Sequence, residues 1–84
     1  MNTYEIREID ALHDGECWTW NTSYNLGIMM TSARDERRAF TRYLQQRHGI
    51  TFKRNRTRIT WDGDVYEITD RKTGEPLFAA IPTA

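Results

Sequence analysis

An α+β domain, with one amphipathic helix laid on an antiparallel β-sheet, is the fold class this sequence predicts, and three observations predict it. Side chains from Trp18 to Met30 alternate with period two. The stretch after them, as far as His48, repeats with a helical period. The last third breaks into short β-branched and aromatic runs separated by Gly turns. With 84 residues the chain has room for a single domain, 1–84.

Tyr4, Ile6 and Ile9 set out a first strand that ends at the turn signal Asp14-Gly15. In the second, the even positions Trp18, Trp20, Thr22, Tyr24, Leu26, Ile28 and Met30 read as the core side. The odd positions Thr19, Asn21, Ser23 and Asn25 read as solvent, with a bulge or interruption near Asn21–Asn25. The helix is expected over about 33–48. Ser32 supplies its N-cap oxygen and Asp35 the capping-box carboxylate, and Gly49 stops it in the left-handed conformation. Ala33, Phe40, Tyr43 and Leu44 form its apolar stripe, flanked by Arg37 and Arg47, while Arg34, Arg38 and Arg42 share the solvent side.

Beyond the helix, Ile50–Phe52 reads as a strand that turns at Asn55-Arg56 onto the next. Asp62-Gly63 is a two-residue hairpin turn that sets Ile59 against Tyr66 and Arg58 against Glu67. Lys72-Thr73-Gly74 leads into Pro76–Pro82, a run apolar on both faces and therefore interior or covered. The resulting order is β-β-α-β-β-β-β, with a core row through Phe52, Ile59, Tyr66 and either Phe78 or Ala80.

Net charge is zero, but the charges are segregated. Residues 1–33 balance at −4, residues 34–58 at +7 and residues 59–84 at −3. Arg34, Arg38 and Arg42 on the helix, with Arg54 and Arg56 in the turn beyond it, are the candidate contact residues for a partner or for nucleic-acid phosphates. The bland alternative is compensation within the fold, for instance Arg58 with Glu67. An overall pI near 6.7 weighs against a dedicated nucleic-acid binder.

Chemistry finds little footing. Asp62 and Asp64 are explained by a turn, and His13 with Cys17 falls short of the four ligands of a structural zinc site. Cys17 reads as a half-buried structural thiol beside Trp18. No nucleophile elbow or phosphate loop occurs. The expectation is a protein without enzymatic activity, cofactor, metal or small-molecule substrate. Without a signal peptide or apolar span, and with a lone cysteine, a cytoplasmic place away from membranes is expected. A protein partner or a homodimer comes first, with nucleic acid as the alternative.

The strings Tyr4-Glu5-Ile6-Arg7-Glu8-Ile9-Asp10, Trp18-Thr19-Trp20-Asn21, Asp64-Val65-Tyr66-Glu67-Ile68 and Asp70-Arg71-Lys72-Thr73-Gly74-Glu75-Pro76-Leu77 resemble a family of short bacterial proteins of unknown function. Its members are encoded on phages and conjugative elements. The resemblance implies a bacterial cytoplasm and a small interaction or regulatory module serving a mobile element. It assigns no role to any residue.

Overall fold

The computed structural model describes residues 1–32 and 34–83. Its elements run β1 (Asn2–His13), β2 (Trp18–Thr31), α1 (Glu36–His48), β3 (Thr57–Trp61), β4 (Tyr66–Asp70) and β5 (Pro76–Thr83). The strands form one antiparallel sheet in the order β2-β1-β5-β4-β3, with the helix on one face. This is the expected α+β class, with five strands rather than six.

The missing strand is Ile50–Phe52. Ile50 and Phe52 leave the sheet plane to pack on the core beneath the helix, Phe52 meeting the Phe78 ring edge-on at 5.5 Å. A tight turn then follows, in which Lys53 O accepts from the backbone N–H of Arg56 and of Thr57. The turn expected at Asn55-Arg56 needed positive φ at an arginine, and no described non-glycine residue adopts it. β3 is left as an edge.

The helix starts later than expected. Asp35, not Ser32, is its N-cap, with a carboxylate oxygen accepting the Arg38 N–H at 3.1 Å. Ser32 precedes the helix and is exposed, and Ala33 lies outside the described residues. The C-terminus matches expectation: Gly49 has φ +68° and its N–H bonds Gln45 O, while the Ile50 N–H reaches Leu44 O. Phe40 and Leu44 are fully buried against Tyr4, Ile6, Met29, Ile68, Phe78 and Ala80.

Along β2 the sidedness changes twice. The pairing with β1 skips Asn21 and again Leu26, and each extra residue turns the following side chains to the opposite face. Met29 pairs with Tyr4 and Gly27 with Ile6, so these odd positions face the helix. Ile28 and Met30 pair with Glu5 and Thr3 on the other face and stay 51% and 65% exposed. The expected core side of β2 therefore does not hold as one row. Trp20, also on the far face, sends its indole N–H to Glu67 on β4 at 3.1 Å. Trp18 donates to Thr73 O at 3.0 Å. Ile9 is buried on that second face, whereas Tyr4 and Ile6 belong to the helix side.

In the β3–β4 hairpin, Trp61 pairs with Tyr66 and Ile59 with Ile68 across a loop of residues 62–65. That register is two residues from the expected one, so side chains keep their faces but change their partners. The longer loop wins because Asp62 accepts the backbone N–H of both Asp64 and Val65, closing a turn around Gly63 at φ +99°. As expected, β5 is interior, with Ala79 and Ala80 fully buried.

Candidate functional site

A cleft of about 840 Å³ opens between the helix and the β3 edge. The helix contributes Arg37, Arg38, Thr41 and Gln45. The segment after it contributes Ile50, Phe52 and Arg54, β3 contributes Arg58 and Ile59, and the β4–β5 turn contributes Arg71. Its apolar members come from the segment that never became a strand, so the missing strand and the cleft have one origin. Asp35 is the only acidic residue of the lining, and its carboxylate is already engaged at the helix N-terminus. Neither His nor Cys lines the cleft, so it offers fixed positive charge, hydrogen-bond donors and a small apolar floor.

The pairing of Arg58 with Glu67 considered from sequence does not occur. Arg58 stands opposite Thr69, while Glu67 stands opposite Thr60 and takes the Trp20 indole. Among the described residues the only ion pair is Arg7 with Glu5. Arg71 is steadied by weak bonds from Nε and Nη2 to Thr57 O, both at 3.4 Å, and its backbone N–H bonds Arg56 O at 2.8 Å. Arg37 lies 5.7 Å from the centre of the Tyr66 ring, within cation–π range.

Of the five arginines singled out from sequence, Arg38 and Arg54 meet in this cleft. Arg56 lines an adjoining depression with Asp70, Arg71 and Lys72. Arg42 opens on the opposite flank of the helix, where it joins Arg38 and Arg47 beside Ile28–Thr31. Arg34 is exposed ahead of the helix and lines none of these hollows. Sequence reasoning missed Arg37, Arg58 and Arg71 as members of the cleft. Arg37 was legible as the neighbour of Arg38. Arg71 could be found only once β4 and β5 were placed.

The carboxylates near chain reversals are occupied by backbone. Val65 and Asp64 N–H groups hold Asp62 below the usual carboxyl range, and those of Thr73 and Lys72 do the same for Asp70. Cys17 is exposed, contrary to expectation, and its hydrogen bond to Asp14 pushes the thiol pKa up. Such a shift makes it a poorer nucleophile at neutral pH.

A second polar cluster ties the helix start to the sheet. Glu36 accepts from the Tyr4 hydroxyl and from Asn2 Nδ2, and Tyr66 also hydrogen-bonds to it. These donors, Tyr4 first, lower the Glu36 pKa, and burial raises those of Tyr4 and Tyr66. The folded state thus prefers ionised Glu36 and neutral tyrosines. Stability from Glu36 is present above the ordinary glutamate range and is lost as pH falls through it. Stability from the tyrosines is present below their ordinary range and is lost as pH rises through it. Glu36→Gln is expected to cost about 1–2 kcal/mol at neutral pH and to flatten the acid limb of stability, measured by urea unfolding across pH.

No helix is long and apolar enough to cross a membrane among the described residues. Compared with known proteins, the chain matches no family model, no curated protein and no solved structure.

Proposed function

We propose that this protein is a non-catalytic interaction module whose arginine cleft holds a nucleic-acid strand by its phosphates. The observation that carries the reading is a continuous run of cations. Arg37, Arg38, Arg54 and Arg58 lead through Arg71, shared by both hollows, to Arg56 and Lys72; Asp70 lies beside Lys72 in the second hollow, and no arginine of the run is ion-paired among the described residues. An extended track suits an extended polyanion better than a single anion. Arginine's planar fork matches phosphate oxygens in bidentate fashion, and Ile50, Phe52 and Ile59 give bases or sugars an apolar floor.

Overall neutrality does not oppose this. Screening limits what a phosphate feels to charges within roughly 8 Å at physiological salt, so the local excess governs contact. A role as an accessory protein of a mobile element rests on the likeness of Tyr4–Asp10 and the other strings to proteins of such elements.

Fluorescence anisotropy with labelled single-stranded DNA and RNA tests the assignment. Binding at about 50 mM salt is expected, weakening with added salt at a log–log slope near −0.7 per phosphate engaged. Arg54→Glu and Arg58→Glu should each weaken it for every sequence and flatten the slope by about 0.7. No binding at low salt, or binding that survives both reversals together, overturns the reading.

A further inference from the structure

We infer that the outer edge of β2 is a self-association surface, on which a second copy of this chain pairs its own β2 antiparallel about a twofold axis. In a chain with 29% charged residues, the strand Trp18–Thr31 has none, and it has no proline. It is also the longest strand and an edge of the sheet. Unpartnered edges are ordinarily protected by lysine, proline, bulges or inward-pointing charge, because their free main-chain groups template pairing with another strand; of these β2 has only its bulges at Asn21 and Leu26. Exposed apolar surface gathers on the same strand, at Trp20, Tyr24, Ile28 and Met30.

The bulge shows where the ladder can form. Around Leu26 the main chain is already engaged within the protomer: Leu26 O accepts the Tyr43 hydroxyl at 3.0 Å and contacts His48 Nε2, and the Gly27 N–H bonds Asn25 Oδ1. The ladder therefore belongs ahead of Leu26, on Trp18–Asn25, where the other bulge falls at Asn21 and Arg7 Nη2 already bonds Ser23 O at 2.9 Å.

Charge complementarity selects a second copy as the occupant. One end of the β1–β2 hairpin carries Glu8, Asp10, Asp14 and Glu16 without a Lys or Arg among residues 8–17. Arg38, Arg42 and Arg47 flank the other end of β2, beside Ile28–Thr31. Antiparallel pairing about a twofold axis near the middle of Trp18–Asn25 sets the acidic end of each copy beside the basic flank of the other. The segregation of charge in a neutral chain is then satisfied twice per dimer. Because that flank lies across the helix from the cleft, Arg54, Arg58 and Arg71 stay free in the dimer.

Sedimentation velocity and light scattering on the full chain at about 100 µM, a range that detects weak dimers, decide the matter. The expected result is a particle of twice the 10.0 kDa protomer mass. Thr22→Lys, which places a charge on the pairing edge, should return it to the protomer mass with unchanged circular dichroism. Arg42→Glu and Glu16→Arg should each weaken association at least tenfold, and the two together should restore it. A protomer mass for the unaltered chain overturns the inference. So does a dimer indifferent to Thr22→Lys, or one that the paired reversal fails to rescue. Were Thr22→Lys to perturb the fold, the reversals at two exposed positions would still decide it.

Discussion

Replacing Phe40 by alanine is expected to remove about 4 kcal/mol of stability, a large share of what a domain of this size has. Phe40 is fully buried and, with Leu44, is the apolar contribution of the helix to the centre of the core. Truncation would leave a cavity that the sheet below cannot close, because Ile6, Ile68 and Ala80 are held in place by their ladders. An 84-residue domain has a total stability of only about 4–13 kcal/mol, so the loss is at least about a third of it. Urea unfolding followed by tryptophan fluorescence should show a midpoint well below that of the unaltered chain. Phe40→Leu, which conserves most of the volume, should cost about 1.5 kcal/mol or less. A loss below about 1 kcal/mol for the alanine variant would mean that the helix does not close the core.

Gly27→Ala should be nearly as damaging, at about 3 kcal/mol, although it adds one methyl group. Two causes act together. Gly27 has φ +112°, a conformation that costs L-residues stability. A Cβ there would also overlap the Tyr43 hydroxyl, which is held on Leu26 O by its own hydrogen bond. The ring cannot move aside without losing that bond and the cap it places on the bulge. By contrast Gly15 and Gly63, also at positive φ, have open space where a Cβ would lie, and alanine there meets only the backbone penalty of about 1 kcal/mol. Thermal unfolding of the three alanine variants separates the steric part from the conformational part. Equal losses at Gly27 and Gly63 would remove the steric argument.

The helix was legible because its signals are local. The positions of Phe40 and Leu44, the left-handed Gly49 and the basic last turn all act within a few residues of one another. Its start was misplaced because Ser32 and Asp35 are both competent caps, and the choice is made by the polar cluster that anchors Glu36 to Tyr4, Tyr66 and Asn2. β2 was legible as a strand, and the bulge expected near Asn21–Asn25 falls at Asn21, but its sidedness was not legible, because a second bulge at Leu26 reverses the alternation again. In the β3–β4 hairpin a pattern of apolar pairs fits two registers equally well. The side chain of Asp62 decided between them.

The candidate site divides the same way. Its charge was plain in the sequence, as an excess of +7 over residues 34–58. Its geometry was not: helix spacing grouped Arg42 with Arg38, and the two do share the β2 flank, but only the sheet sets Arg38 also with Arg54, Arg58 and Arg71 in the cleft.

By itself the sequence determined the α+β class, the helix and its buried stripe, the interior place of β5 and the segregation of charge. These follow from period, capping chemistry and composition, which neighbouring residues carry. Tertiary structure alone decided that Ile50–Phe52 leaves the sheet to floor a cleft, that Arg58 and Glu67 part company, and that the uncharged strand β2 ends up on an edge. Each depends on which strands become neighbours, a choice made by long-range packing against one helix.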